Sequence, residues 1–275
     1  MRQSGRMRVR EKPGTSGLGE IRRLAPGEPA ELFPVLRSDL AGLWAGGVAR
    51  VDGRRLRNAL MGAATGHGAS RRSGSAALTT AGPTVTGVTV NGERLGADAV
   101  VVAAGAWSAA LCQPLGVALP VFPQRGQILH VDLPGRDTEA WPVIRTLGEH
   151  YVLAFPGGRV VAGATRESDA GFDYRVTVGG VRKIVGDALG VAPGLAAGTV
   201  AEVRVGFRPL TPDGLPVLGG VDGVAGLVVA TGLGPVGLTL GPYVGAVAAD
   251  LALGRDVGLD LAPYSPDRRT GPGGG

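Results

Sequence analysis

The sequence predicts a mixed α/β (α+β) fold in which a doubly wound sheet domain is interrupted by an antiparallel sheet. The first observation is an almost wholly apolar run at residues 97–104, which is typical of a strand covered on both faces. The second is a change to short strands and loops over residues 119–205. The third is the return of apolar strand and helix patterns at residues 227–230 and 242–253.

The chain begins with a basic stretch that is rich in glycine and proline. Residues 1–30 lack periodicity and are predicted to be a poorly ordered start, and residues 31–43 carry apolar positions at irregular helical spacing. Asp52 is predicted to cap a helix, because its carboxylate can accept hydrogen bonds from the free N–H groups of the first turn. That helix is predicted to end at residues 65–68.

Strand patterns follow this helix. Residues 76–80 and 84–90 are predicted strands, and Asn91-Gly92 favours a tight hairpin turn. The middle of the chain is typical of an antiparallel sheet with one helix packed on it. Its predicted elements are strands at 127–131, 151–155 and 159–164 and a helix at 178–189.

These patterns divide the chain into five predicted parts. Two segments of one sheet domain flank the antiparallel-sheet domain, with a poorly ordered start and a disordered tail at the ends. The boundaries are 1–30 for the start, 31–118 and 206–264 for the two parts of the first domain, 119–205 for the second domain and 265–275 for the tail.

Composition and charge exclude several classes of protein. The net charge of +5 comes almost wholly from arginine, without the stacking aromatic residues or docking motif that would indicate nucleic-acid binding. The single cysteine, Cys112, permits no intramolecular disulfide and favours a cytoplasmic location.

Residues 223–249 carry no charge, but their prolines and glycines favour strand, turn and helix over a membrane span. No metal site is predicted, because His67, His130 and His150 lack ligand spacing.

A glycine-rich turn at residues 232–237 (GLGPVG) matches the G-x-G-x-x-G pattern of dinucleotide-binding proteins. Only residues 238–275 follow it, too few for the second strand and ribose-binding acid of a nucleotide half-domain, so we reject an NAD fingerprint. Its glycines still allow close backbone approach, and the N–H groups that begin the next helix attract negative charge. The alternative is a glycine turn that only connects packed elements.

Four segments together resemble the D-amino-acid oxidase/glycine oxidase family of FAD-dependent enzymes. They are residues 97–108 (ADAVVVAAGAWS), residues 123–127 (PQRGQ), residues 151–165 with their Pro-Gly-Gly turn, and residues 206–219 (GFRPLTPDGLPVLG) followed by VATG and the glycine turn. The resemblance covers residues 50–260, and the fourth segment is the most specific. It implies an FAD-binding doubly wound domain and an antiparallel-sheet substrate domain.

By this resemblance the cofactor is FAD, and three places along the chain would contact the flavin. Residues 69–73 would lie on the adenosine side. The implied FAD-binding residues are Ala104, Gly105, Trp107, Arg125, Gly126, Gln127, Gly232, Gly234, Val236, Gly237, Leu238 and Thr239.

The resemblance assigns substrate binding to Arg208 and Tyr151. In the family, the arginine of the Phe-Arg-Pro segment binds the substrate carboxylate, and a guanidinium is a planar fork that matches a carboxylate. The alternative for Arg208 is a structural arginine that pairs with Asp213 or a carbonyl. Tyr151 matches a tyrosine that lies over the substrate, and a core aromatic is its alternative.

The implied reaction is oxidation of the CH–NH bond of glycine, sarcosine or a small D-amino acid to an imine, with hydride transfer to flavin N5. Electrons then pass to oxygen or another acceptor, and no general base is required. A non-catalytic or FAD-deficient fragment of the same scaffold is the alternative, and an NAD-linked dehydrogenase is a third hypothesis. The sequence leaves the amine, the electron acceptor and the oligomeric state open.

Complete members of the family begin with a strand, a G-x-G-x-x-G turn and a helix. No such segment precedes Arg50, so the sequence predicts an incomplete FAD-binding domain that binds FAD weakly or not at all. Flavin absorbance that survives gel filtration at stoichiometric yield would contradict this expectation.

Overall fold

The computed structural model describes residues 17, 19–148 and 150–269. Its strands are β1 Ile21–Leu24, β2 Gly42–Ala45, β3 Ala76–Ala81, β4 Thr84–Val90, β5 Glu93–Gly96, β6 Val100–Val102, β7 Phe122–Asp132, β8 Val143–Arg145, β9 Tyr151–Phe155, β10 Arg159–Gly163, β11 Thr199–Leu210, β12 Val217–Val221 and β13 Val224–Thr231. Its helices are α1 Glu28–Leu32, α2 Gly53–Gly66, α3 Ser108–Cys112, α4 Val178–Val191 and α5 Gly237–Ala252. The predicted mixed α/β fold is confirmed.

An antiparallel sheet with the strand order β11-β7-β10-β9-β8 forms the middle of the molecule. One of its faces, the back face, packs on α4 through a buried cluster that includes Leu129, Val152, Val160 and Ile184. Alternate residues on each strand face the other way, since successive side chains of a strand point to opposite sides. That second face, the front face, carries Gln124, Gly126, Tyr151, Gly163 and Arg208 by strand register.

A second sheet is built mainly from the two flanking parts of the chain. Its order is β12-β13-β4-β3, with β5 beside β4 and β6 beside β13. β13 runs parallel to β6 and β4, and α5 covers part of the sheet through Val244, Val247 and Ala248. Because parallel strands end at the same edge, the segments that follow β6 and β13 are brought together.

Local signals located several elements correctly. The Asp52 carboxylate accepts hydrogen bonds from the N–H groups of Arg54 and Arg55, so the predicted cap of α2 is confirmed. Asn91 and Gly92 both have positive φ angles in the tight turn between β4 and β5, as the hairpin signal predicts.

The predictions for the two ends of the chain are wrong where the structure describes them. Residues 21–32 form β1 and α1 instead of a poorly ordered start, because β1 pairs with β2 along its whole length. Residues 265–269 are held by Arg268, which forms an ion pair with Asp213 at 2.8 Å. Residues 1–16, 18 and 270–275 lie outside the described residues.

The segment before α2 packs on the antiparallel sheet. Phe33 is fully buried in the same cluster as the back-face residues, and its ring lies 4.6 Å from that of Trp141. Val35 and Leu36 belong to this cluster as well. We propose that residues 31–40 belong to the antiparallel-sheet domain, so that the first part of the other domain begins near α2.

The chain contains no helix, among the residues described, that is both long and apolar enough to cross a bilayer. The uncharged stretch at 223–249 forms β13, a short 3₁₀ turn and most of α5. Within the described ranges, no group of three or more His, Cys, Asp or Glu side chains could hold a metal ion.

Asp52→Ala is expected to lower the free energy of unfolding at pH 7 by about 2–3 kcal/mol, because Asp52 both caps α2 and pairs with Arg159 at 2.7 Å. The Arg159 hydrogen bond lowers the pKa of Asp52 from 3.8 to about 2. The ion pair therefore stabilises the fold above pH 3.8, and this stabilisation is lost as the pH falls toward 2. Urea unfolding between pH 7 and pH 2 measures both effects.

Two variants complete this test. Asp52→Asn keeps a capping oxygen and is expected to lose only the acid-dependent part, roughly 1–2 kcal/mol. Asp98→Asn replaces an exposed carboxylate and is the control. An Asp52→Asn protein with unchanged pH dependence would show that the ion pair contributes nothing.

Candidate functional site

The ends of β6 and β13 form one glycine-lined edge. Ala104 and Gly105 follow β6, and Gly105 has a φ of 56°. The Thr231 hydroxyl at the end of β13 donates to the Gly105 carbonyl at 2.8 Å, which ties the two strand ends together. Gly232 and Gly234 follow with φ angles of 73° and 50°. Ligands of parallel sheets bind at such carboxyl ends of strands.

The start of α5 presents backbone donors and apolar side chains at this edge. No side chain caps its first turn, and the N–H groups at the start of a helix are donors that suit an acceptor oxygen. Val236 and Leu238 are 45% and 54% exposed. An acceptor oxygen on a flat, largely apolar ring suits this combination, and the residues present therefore fit the flavin of FAD.

Arg208 lies on the front face close to this edge. Its guanidinium lies over Gly126, where an added Cβ would come within 2.7 Å of Nη1. The same nitrogen donates to the Thr165 carbonyl at 3.1 Å and lies 3.4 Å from the Gln124 side-chain oxygen. Leu210, on the same face of β11, would lie 3.3 Å from a Cβ at Gly234, so the arginine adjoins the glycine turn. Asp213 pairs with Arg268.

Tyr151, the first residue of β9, also has its side chain on the front face near Arg208. Its hydroxyl lies over Gly163, where an added Cβ would come within 2.7 Å of it. Burial raises the pKa of Tyr151, and the positive charge of Arg208 offsets part of that rise. The hydroxyl is therefore protonated at neutral pH and is available as a hydrogen-bond donor beside the guanidinium.

Arg125 and Gln127 have back-face side chains that serve the fold. Arg125 is buried and forms ion pairs with Glu167 at 2.5 Å and with Asp173 at 2.7 Å. Gln127 is fully buried and donates to both Glu167 and Thr177. Their contact with the flavin stays a prediction, and it would have to come from backbone atoms. These two ion pairs fix the first part of β7 from the back face, opposite the face that carries Arg208.

Trp107 takes part in an aromatic cluster beside the strand end. Its ring stacks on Phe172 at 4.8 Å and meets the edge of Phe207 at 5.7 Å. The indole is 43% exposed, so one side remains open. Its predicted contact with FAD is untested, as are those of Gly237 and Thr239 in the first turn of α5.

Sequence reasoning missed several residues that shape the site. The absence of a side chain at Gly126 makes room for Arg208, and the contact of Gly126 with FAD stays a prediction. Gly163 leaves the corresponding space for Tyr151, and Glu167 anchors Arg125. Only strand register could have found these pairings, because the partners are 12 to 82 residues apart in the sequence.

An antiparallel sheet with a cation and a tyrosine on its open face, set against glycine turns at parallel strand ends, defines a cofactor-dependent enzyme of the flavin-binding kind. Residues 2–251 match the model of the FAD dependent oxidoreductase family, DAO. The chain belongs to this family of FAD-dependent oxidoreductases.

Similar proteins agree with this assignment. The chain is 47% identical over 250 residues to the oxidoreductase YurR of Bacillus subtilis, covering 90% of this chain and 67% of that protein. It is 33% identical to the glycine oxidase of Geobacillus kaustophilus, covering 93% and 68%. The solved structure of iminodiacetate oxidase from Chelativorans sp. BNC1 superimposes with a TM-score of 0.88 at 43% identity, covering 91% and 68%. The chain thus spans about two thirds of the length of these relatives.

Proposed function

We propose that this chain carries the substrate site of an FAD-dependent oxidase or dehydrogenase that oxidises the CH–NH bond of a small amine bearing a carboxylate. The observation that carries this proposal is the position of the Arg208 guanidinium over Gly126, beside Tyr151 and the glycine turn. Glycine, sarcosine, small D-amino acids and iminodiacetate are the candidate substrates, and the last is the compound named for a similar enzyme.

The chain's own residues bind and orient the substrate. Arg208 offers two parallel N–H donors to the carboxylate, and the Tyr151 hydroxyl donates a further hydrogen bond. Fixing the carboxylate aims the α-carbon at the strand-end edge, where FAD supplies a two-electron acceptor when bound. As the α-C–H bond breaks, its hydride would pass to bound FAD while the nitrogen lone pair forms the C=N bond, and water would hydrolyse the imine. Oxygen or another acceptor would then take up the two electrons.

Anaerobic mixing tests the proposed reaction. The FAD-loaded protein is mixed with glycine, sarcosine, D-alanine or iminodiacetate, and the visible absorbance of the oxidised flavin is followed. We expect at least one of these amines to bleach the flavin, while acetate, which lacks the nitrogen, does not. A protein that retains FAD but is reduced by none of the four would refute the proposal.

An FAD-deficient scaffold is the second candidate. It is favoured by the exposure of apolar side chains on the sheet that would hold FAD: α2 buries none of its residues, and Val101 of β6 is 38% exposed. Gel filtration of the chain with excess FAD separates the two candidates. Coelution of stoichiometric flavin supports the enzyme, and its complete loss supports the scaffold.

We also propose a cytoplasmic location. Cys112 is buried and unpaired, and burial raises the pKa of its thiol to about 11, so little reactive thiolate forms. A chain held together without disulfides suits a reducing compartment. Fractionation of cells that express the protein from its own gene would test this location.

A further inference from the structure

We propose, resting on the proposed function, that Gln124 is a positioning residue for the substrate carboxylate. Its side-chain amide holds the Arg208 guanidinium in the orientation that receives the carboxylate, and it does so without neutralising the positive charge. In this role Gln124 acts through Arg208 and not by contact with the reacting atoms.

Gln124 and Arg208 lie directly opposite each other on neighbouring strands. They are register partners between β7 and β11, and such residues have their Cβ atoms about 4.5–5.5 Å apart on one face of the sheet. Gln124 is only 8% exposed, so its amide depends on hydrogen-bond partners within the protein. The orientation of this amide is therefore a property of the fold.

Each end of the Gln124 amide has a partner. Its nitrogen donates to the Ser168 hydroxyl at 3.1 Å, and its oxygen accepts from Nη1 of Arg208 at 3.4 Å. A guanidinium has no acceptor, so the amide oxygen, and not the amide nitrogen, must face Arg208. The bond to Ser168 then keeps the amide from rotating away from the guanidinium.

A second acceptor fixes the same nitrogen of Arg208. Nη1 donates to the Thr165 carbonyl at 3.1 Å. Thr165 is itself held, because its hydroxyl accepts from the Gln127 N–H at 2.8 Å and donates to Glu167 at 2.6 Å. Two acceptors on one nitrogen define the plane of the guanidinium better than one would. Both acceptors are neutral, so they orient Arg208 without forming an ion pair with it.

The plane of the guanidinium matters because its two parallel N–H bonds match a carboxylate only when the two groups are coplanar. A displacement of about 1 Å at such a contact can lower activity strongly. The alternative is that Gln124 only satisfies buried hydrogen-bonding groups of the sheet. The two roles predict different results, because a purely structural residue would affect the enzyme whether or not Arg208 is present.

Binding of an unreactive carboxylate tests the assignment without turnover. Methoxyacetate carries one carboxylate and an ether oxygen in place of the oxidisable nitrogen. Calorimetry with the protein in excess FAD is expected to show that Gln124→Leu raises the Kd of methoxyacetate by roughly 5- to 20-fold. Gln124→Glu is expected to raise this Kd by roughly 50-fold or more, because the new carboxylate pairs with Arg208 and competes with the ligand.

Two variants of exposed residues accompany this measurement. Ser168→Ala removes the partner that orients the amide, and it is expected to raise the Kd by roughly two- to fivefold without disturbing the fold. Gln113→Glu introduces the same charge as Gln124→Glu at an exposed position of the chain. It is the matched control and is expected to leave the Kd unchanged.

A double-mutant cycle shows whether Gln124 acts through Arg208. The cycle uses kcat/KM for an amine that reduces the flavin, since this ratio stays measurable when binding is weak. Gln124→Leu is expected to lower kcat/KM by roughly 5- to 20-fold, mainly through KM. In a protein that already carries Arg208→Met, the same change is expected to lower kcat/KM less than twofold. A purely structural role would give equal factors in the two backgrounds.

The outcomes separate this proposal from the proposed function. If Arg208→Met weakens methoxyacetate but Gln124→Leu and Ser168→Ala leave its Kd unchanged, the positioning role is refuted and the proposed function stands. Equal factors in the two backgrounds of the cycle refute the positioning role in the same way. If Gln124→Leu does not fold, the Kd values of Ser168→Ala and Gln124→Glu decide. If Arg208→Met leaves the Kd of methoxyacetate unchanged, the proposed function itself fails.

Discussion

Replacement of Arg208 by methionine is expected to lower kcat/KM for a carboxylate-bearing amine by roughly 100-fold or more. Two charge-assisted hydrogen bonds to the carboxylate are lost, and each contributes about 1.5–3 kcal/mol. Arg208→Lys is expected to recover only part of the loss, because an ammonium cannot match a carboxylate with two parallel donors. The rate of anaerobic flavin reduction at several amine concentrations measures the change.

Arg204→Met is the matched control for this prediction. Arg204 lies on the same strand and the same face, but it pairs with Glu202 farther from the glycine turn. We expect the kcat/KM of Arg204→Met to stay within about threefold of that of the unmodified protein. Salt screens the charge of an arginine that does not contact the substrate. Equal losses in the two variants would mean that overall charge, not a bound carboxylate, explains the effect.

Gly126→Ala is expected to raise KM by roughly tenfold or more while changing the free energy of unfolding by less than about 1 kcal/mol. The new methyl group would lie 2.7 Å from Arg208 Nη1 and 3.0 Å from its central carbon, so the guanidinium must move. The guanidinium is the end of a flexible side chain, so its movement is expected to change the free energy of unfolding only slightly. The carboxylate site is nevertheless displaced, and misplacement by about 1 Å can lower activity strongly.

Gly206→Ala provides the comparison for Gly126→Ala. Gly206 is the register partner of Gly126 on β11, and an added Cβ there would meet nothing within 4 Å. We expect normal KM and normal stability from this variant. Urea unfolding and steady-state kinetics on both variants test this expectation. A Gly126→Ala protein that fails to fold, or that keeps an unchanged KM, would contradict it.

The elements that the sequence predicted well are those with a local cause. Asp52 marks the start of α2 because a carboxylate satisfies N–H groups two and three residues away, and Asn91-Gly92 marks a turn because both positions need positive φ. β11 was missed as a strand. Its sequence nevertheless carries a period-two signal, since Val203, Val205 and Phe207 alternate with Arg204, Gly206 and Arg208.

The sequence by itself determined the family resemblance, the mixed fold class and the choice of Arg208 and Tyr151, because these depend on motifs and local patterns. Only the tertiary structure decided that Arg125 is buried in ion pairs and that Gly126 makes room for Arg208. The physical reason is strand register. A shift of one residue in the pairing of distant segments would turn every one of these side chains to the opposite face, and no local pattern specifies that pairing.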